Sequence, residues 1–552
     1  MWYQERKRKD RNTSNPEFTL CCMNGKVQLP LLKSALDILH NLHNNVDNRS
    51  KHFLRNIRAY NMMFSFTSFG GKVDTSINKG SNPPIFRIGG QNHHYIGGLI
   101  PLQNQKPKFA QLYIYDTKDE INNRLKCFSS SDKSGSLDPE IVATLKKMLD
   151  QNNVLVQSFC YARDRYKEED FIGVKMRLIR HRSKDGRTYN LPTASEVAAL
   201  IVGDIDSSIG DRDIIIETQT KLLKRIDVKH PLYLGLQYPL LFPYGEDGYR
   251  DDVKLKLSGS SKDNGGTNVS MREFVSFRLQ NSDEESQLLF QSRKLFQQFI
   301  VDAYTMIESE HLNFIRFNQP QLIAGLYKYV NDALNQGEKE AFATGKRIIL
   351  LSFFTGGPRY MSENCKDAFG TCCWAGYPSL FITITCNSRW PEIMRFVKKR
   401  GLKPEDRPDI LCRVFKVKLD QLLRDLRKWC IFGRVIGYVC MIEFQKQGLP
   451  HAHILLFMHS EDKPRTASDI DRMISAAIPD EKEDPTLFAA VETYMMHGPC
   501  GQANLNSPCM KSGKCSKCFP KNFTRRTRID EEGFPRYRRR DDGRTVKKKI
   551  LN

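Results

Sequence analysis

The feature that most constrains this chain is a hairpin pattern between Tyr438 and Met458 with two histidines at its start. Tyr438-Val-Cys-Met-Ile-Glu-Phe-Gln445 reads as one strand, Lys446 to Pro450 as a turn, and the apolar run Ile454 to Met458 as a second strand. The second arm opens on His451-Ala-His453. Residues two apart in a strand leave the same face, so both imidazoles aim at one point from a stiff backbone. Glu443 and Gln445 share a face of the first arm, and either can add an oxygen ligand. Gln445, nearer the turn, is expected nearer the histidines. Two imidazoles and one oxygen leave positions open on a divalent metal for a substrate phosphate. A His-x-His pair alone is also what two ordinary surface histidines look like, so the neighbouring segments decide its meaning.

Upstream, Tyr377-Pro-Ser-Leu-Phe-Ile-Thr-Ile-Thr-Cys-Asn387 reads as a strand with Thr383, Thr385 and Asn387 on one face, opposite Ile382 and Ile384. Trp390-Pro-Glu-Ile393 follows it. From 348 onward the pattern runs strand 348–354, strand 380–385, helix 414–429, strand 435–443 and strand 454–458. That order predicts an α+β core with a central antiparallel sheet and flanking helices, the long helix packing behind the metal-bearing strands.

At 552 residues and 40% hydrophobic, the chain is long enough for two or three cores, because single cores stop growing near about 250–300 residues. Polar stretches at 129–136 and 258–268 punctuate it. Four parts are expected: a β-rich region over 1–128 with strand-like runs such as Leu112 to Tyr115; a mixed α/β region over 137–250; the α+β domain over 270–480; and a cysteine-rich segment with a basic tail over 490–552. Asp138 as N-cap and Pro139 at the first helical position open a helix with Ile141, Leu145 and Met148 on one face. Val174 to Ile179 reads as a strand. Helical patterns run over 285–307 and 320–335, with their Tyr and Phe expected in the core.

No apolar run reaches about 18 residues, and the chain opens on Met1-Trp-Tyr-Gln-Glu-Arg-Lys-Arg-Lys-Asp10, so a soluble, unsecreted protein without membrane contact is expected. Fifteen cysteines over this length read as reduced thiols plus one metal cluster. Cys500, Cys509, Cys515 and Cys518, with His497, offer five candidates for the four positions of a structural Zn²⁺, and Lys511, Lys514 and Lys517 offset thiolate charge. Free buried cysteines are the alternative. The net charge of +22 favours a polyanionic partner. From Lys521 to Asn552 there are 12 Lys or Arg against 5 Asp or Glu. Arg525, Arg526, Arg528, Arg536, Arg538, Arg539 and Arg540, with Phe523, Phe534 and Tyr537 among them, combine phosphate-pairing charge with rings on which bases can stack. A solvated basic end is the competing reading.

Several of these segments together resemble the Rep region of Helitron transposases, the Helitron helicase-like N-terminal domain. Thr383-Ile-Thr-Cys-Asn387 with Trp390-Pro-Glu392, Arg407-Pro-Asp-Ile-Leu-Cys-Arg-Val-Phe415, and Glu443-Phe-Gln-Lys-Gln-Gly-Leu-Pro-His-Ala-His453 carry the likeness. Gly498-Pro-Cys500, Pro508-Cys-Met510 and Gly513-Lys-Cys-Ser-Lys517 extend it, as do His230 to Tyr244, Cys21-Cys22 with Gly25 to Pro30, and Phe109 to Asp116. The resemblance implies an HUH-endonuclease core in which His451 and His453, with Gln445 or Glu443, hold Mg²⁺ or Mn²⁺. It implies nicking and joining of single-stranded DNA in rolling-circle transposition, through a 5′-phosphotyrosyl intermediate. It also favours His497 over Cys518 as the fourth zinc ligand, and it implies a nuclear protein whose full-length relatives add a helicase domain. The family's Lys-Tyr-x-x-Lys-Tyr motif is not found, since the only tyrosines after His453 are Tyr494 and Tyr537. The chain is therefore expected to stop before the nucleophile. Ala341-Phe-Ala-Thr-Gly-Lys-Arg347 lacks the first glycine and the terminal hydroxyl of a phosphate-binding loop, so no ATPase is expected. The alternative function is a non-catalytic, zinc-containing nucleic-acid-binding remnant of such a transposase.

Overall fold

The computed structural model describes residues 3–7, 14, 17–78, 85–115, 118–127, 137–168, 175–201, 213–256, 267–280, 285–319, 350–445, 448–507, 509–531 and 534–546. The polar stretch 129–136, nearly all of 258–268, the expected helix over 320–335 and the Ala341–Arg347 string lie outside these. The chain is mixed α/β, built from helices and small antiparallel sheets. It divides into two compact units: Met1–Lys366 with Ile384–Asp420 and Ile442–Ala452, and Asp367–Thr383 with Gln421–Met441 and His453–Asn552.

The first unit holds one continuous apolar core between Val27 and Met306. Helices α1 (Asp37–Asn44), α2 (Asn48–Arg55) and α3 (Ile57–Phe64) contribute Leu39, Phe53, Ile57, Tyr60 and Phe64, all buried. They stand in the region expected to be β-rich, whose strands β1 (Ser68–Phe69) and β2 (His94–Ile96) are only two and three residues long. Leu112 to Tyr115, expected as a strand, lies instead in a 3-10 turn over Phe109–Tyr113. The reason is local. Gln111 returns its side-chain oxygen to the Lys108 N–H at 3.0 Å, and the Tyr113 hydroxyl donates to the Phe64 carbonyl at 2.6 Å while its ring stacks on Phe66.

Helix α4 (Pro139–Asn152) begins as expected, with Asp138 accepting from the Glu140 and Ile141 N–H groups and Ile141, Leu145 and Met148 buried. Strand β3 (Lys175–Leu178) is central to a sheet with β4 (Ala198–Ile201) and β5 (Ile214–Glu217). Strand β2 lies between β1 and β6 (Lys224–Arg225). The helix expected over 285–307 is broken at Ser292, which donates to the Leu288 carbonyl, and at Arg293, whose φ of 46° interrupts it. The long helix α5 then runs Arg293–Phe317, with Phe296 and Phe299 in the core and Tyr304 exposed. On its inner face Asp302 accepts at 2.8 Å from each of Asn92, His94 and Tyr238, all fully or almost fully buried.

The strand expected over 348–354 is absent among the described residues: 350–354 form turns closed by Phe354 N–H to the Leu351 carbonyl. Gly356-Gly357-Pro358 pulls this segment tight, and Pro358 opens α6 (Pro358–Ala375). Strand β7 (Leu380–Thr385) is followed by α7 (Pro391–Lys398) and the long α8 (Pro408–Lys428). Strands β8 (Val435–Phe444) and β9 (Pro450–Met458) complete a three-stranded sheet in the order β8-β9-β7.

Candidate metal centres and an arginine cleft

The two arms of the histidine hairpin are tied at both ends. The Gln445 N–H donates to the Leu449 carbonyl at 3.1 Å, and the His459 N–H donates to the Arg434 carbonyl at 2.9 Å. Antiparallel pairing counted from the Gln445–Leu449 bond beside the turn puts Glu443 across from His451. Gly448 closes the turn at φ +72, and a Cβ there would also meet Ile85 at 3.3 Å, so glycine is required twice over. On the other edge of β9, the Ser379 N–H bonds the Leu456 carbonyl and the Cys386 N–H bonds the Pro450 carbonyl, which seats β7 antiparallel. Along β7 exposure alternates, with Phe381, Thr383 and Thr385 outward.

The result is a cluster. Glu443, His451 and His453 each offer a ligand atom, all within 4.8 Å of one another. His451 is buried while Glu443 is exposed. The Thr385 hydroxyl meets His451 Nδ1 at 2.6 Å, and the Phe381 ring stacks on His453 with centroids 5.4 Å apart and planes 7° from parallel. Gln445 stands at the foot of the hairpin, two residues nearer the turn, so the register gives the carboxylate of Glu443 the place opposite His451. Asn387 is engaged locally: its side-chain oxygen accepts from the Arg389 N–H at 2.9 Å and its carbonyl from the Trp390 N–H, shaping the turn into α7. Two imidazoles and one carboxylate beside an exposed face are a donor set that fits a divalent cation with coordination positions to spare.

Strands β10 (Met510–Lys511) and β11 (Lys514–Cys515) form a knuckle with Met510 opposite Cys515, turned by Ser512 and Gly513 at positive φ. It gathers His497, Cys500, Cys509 and Cys515, whose ligand atoms lie within 4.8 Å of one another. His497 Nε2 is 3.3 Å from Cys515 Sγ. Backbone N–H groups of Phe519 and Lys517, with His497, bring the Cys515 thiol down to about 6, whereas desolvation and the neighbouring Cys509 and Cys515 push Cys500 up to about 11. Opposite shifts in one cluster are what adjacent thiols do when one takes the charge. Three thiols and an imidazole fit a tetrahedral structural site. Cys518 is exposed and stands outside this group of four, with its N–H bonded to the Cys515 carbonyl.

The basic segment is folded back on α9 (Ala467–Met473). Strands β12 (Arg528–Ile529) and β13 (Pro535–Arg536) pair as a hairpin, extended by mutual backbone bonds between Thr524 and Arg539. Buried Thr527 donates its hydroxyl to Asp471, and Arg538 is 3.5 Å from the same carboxylate. Arg544 pairs with Asp480 at 2.9 Å. A cavity of about 520 Å³ lies between helix and hairpin, lined by Arg525 and Arg526 among others. Arg528 sits across the hairpin from Arg536 and does not line it. Arg538 and Arg540, part of the arginine-rich run read from the sequence, also line it, as does Arg472 of α9, which sequence reasoning missed because it stands far from that run.

Residues 274–456 match the family model described as the Helitron helicase-like domain at the N-terminus. Over that stretch the chain is similar to the N-terminal region of Helitron transposases. The match takes in β7, β8 and β9 through Leu456, with Thr385, Glu443, His451 and His453. The cysteine cluster, the arginine hairpin and the segments before 274 lie outside it. No curated protein matches the chain. Among the described residues, no helix is long and apolar enough to cross a membrane.

Proposed function

We propose that this chain is a Rep protein of the HUH type that nicks and joins single-stranded DNA in rolling-circle transposition, acting in the nucleus. The observation that carries the reading is the convergence of Glu443, His451 and His453 on one exposed sheet face inside the segment that matches the Helitron family. Mg²⁺ or Mn²⁺ held by these three residues would polarise the scissile phosphate and offset the charge that builds on its oxygens. The chain's own groups do the positioning. Thr385 holds the plane of His451 through Nδ1, so the ring can present Nε2. Phe381 fixes the plane of His453 by stacking. Glu443 brings a negative charge that lowers the cost of seating a dication beside two neutral rings.

Zn²⁺ is the metal we assign to His497, Cys500, Cys509 and Cys515, in a structural role. A binding protein without the covalent step is the second reading. The docked arginine hairpin supports it, because its arginine-lined cleft suits a polyanion and is built from residues other than the histidine cluster's. Both readings are tested by incubating the protein with Mn²⁺ and an end-labelled single strand and resolving the products on a denaturing gel. A nick or a protein-DNA adduct that disappears in His451→Ala supports the nuclease; retention of the strand without cleavage supports binding alone; neither outcome would remove both.

A further inference from the structure

The cleft between α9 and the C-terminal hairpin is lined by Arg472, Arg525, Arg526, Arg538 and Arg540, with Asp471 among them. How adjacent residues 525 and 526 come to line one cavity follows from the pairing. Thr524 pairs with Arg539 and Arg528 with Arg536, so four steps on one strand oppose three on the other. The extra residue is a bulge in the 525–527 stretch, which turns two consecutive arginines to the same side. Thr527 lies in that stretch and is fastened to Asp471, while its hydroxyl also accepts from the Arg538 N–H at 2.9 Å.

The charges are unevenly satisfied. Arg538 faces Asp471, and Arg472 pairs with Asp469 at 2.8 Å. Arg525, Arg526 and Arg540 make no ion pair among the described residues. Three guanidinium groups converging on one cavity repel each other, and an anion of several charges removes that cost. Phe523 and Phe534, both more than half exposed, stand on the same hairpin, and Arg539 covers one face of Phe523 at 5.2 Å. Guanidinium forks with exposed rings beside them suit a phosphodiester backbone whose bases are unpaired.

We propose that this cleft binds the backbone of single-stranded DNA, with Arg525, Arg526 and Arg540 pairing its phosphates and Asp471 acting as the strut that holds the bulge open. The proposal rests on the DNA-handling function above, but it assigns the grip to residues other than the histidine cluster's and outside the family match.

The test is fluorescence anisotropy of a labelled single-stranded oligonucleotide with the full chain, titrated in salt without divalent metal. Each neutralised phosphate contributes about 0.7 to the slope of log affinity against log salt, so Arg525→Ala/Arg526→Ala/Arg540→Ala lowers the slope by roughly 2 and weakens binding about a hundredfold at 0.1 M salt. Arg528→Ala/Arg536→Ala, on the same hairpin but off the cleft, keeps the slope close to the parent's. Equal slopes for the parent and the triple variant overturn the cleft and leave the DNA function standing; a parent that binds no single strand fails the DNA function itself. Duplex bound as tightly as single strand, or displacement by poly-glutamate at equal charge, overturns the assignment to an unpaired phosphodiester.

Discussion

Glu246 is buried, its carboxylate accepting the Tyr244 N–H at 3.1 Å, and desolvation raises its pKa from 4.5 to about 7. A raised carboxyl favours the native state below the unfolded pKa and loses that advantage as pH climbs through the folded value. Between pH 4.5 and about 7 the unfolded chain has released a proton that the native state retains. That interval of about 2.5 units, at 1.36 kcal/mol each, amounts to roughly 3 kcal/mol of destabilisation above pH 7. Glu246→Gln keeps an acceptor for Tyr244 and removes the titration. Buried His43 and His230, lowered to about 4 by desolvation, act in the opposite sense between pH 4 and 6.5, so the parent's own profile is a composite. The difference between variant and parent isolates Glu246. Urea unfolding at pH 4, 5, 6, 7 and 8 is expected to show that difference near its minimum at pH 4, growing in favour of the variant to pH 7, then levelling. A difference flat from pH 4 to 8 would refute a buried, neutral Glu246.

Asp302→Ala strips the shared acceptor from Asn92, His94 and Tyr238 and is expected to cost roughly 3–5 kcal/mol in urea unfolding, the loss typical of one partner of a buried polar cluster; a cost under about 1 kcal/mol would contradict its role. Thr385→Val keeps the shape of the side chain and removes the hydroxyl at His451 Nδ1, so Mn²⁺ affinity by calorimetry is expected to fall about 10- to 100-fold; unchanged affinity would mean that another group orients the ring. Arg407 is almost fully buried, pairs with Asp409 at 2.7 Å and lies within 6 Å of the Phe290, Phe296 and Phe396 rings, so Arg407→Lys is expected to lose about 2 kcal/mol of unfolding free energy, and a neutral result would show that a point charge suffices.

Features with strong local chemistry were legible in the sequence. The Asp138-Pro139 start of α4, the alternation of β7 and the hairpin of β8 and β9 each follow from a cap, a period or a turn, and the structure has all three. Likewise His497, Cys500, Cys509 and Cys515 come together as a family-informed reading of the cysteines expected. What failed needed tertiary information. Leu112 to Tyr115 has strand-like composition, yet Tyr113 is recruited by the Phe64 carbonyl and the Phe66 ring, which no window of sequence contains. Which of Glu443 and Gln445 faces His451 is a matter of register, fixed by the backbone bond beside the turn, and no window of sequence contains it. Arg525, Arg526 and Arg528 look equivalent in sequence, and only a one-residue bulge separates the first two from the third.

The two donor clusters differ in what holds them together, and that difference is measurable. Behind the histidine site, Ile454, Leu456, Phe457 and Met458 of β9 are fully buried, so the hairpin is expected to keep its shape with or without a cation. The cysteine knuckle has strands of two residues, and its described residues from 497 to 520 include none that is buried. Its order must then come largely from metal bonds. A chelator added in stages is therefore expected to have two separable effects. Mild chelation abolishes Mn²⁺-dependent chemistry at the hairpin while amide exchange along β9 stays slow. Stripping the tighter Zn²⁺, or Cys509→Ser, releases about one equivalent of metal by elemental analysis and opens 497–520 to protease. Cys518→Ser, outside the group of four, keeps both the metal and the protection. Loss of zinc in Cys518→Ser would move the fourth ligand from His497, and a knuckle still resistant to protease after complete metal removal would show that packing, not coordination, folds it.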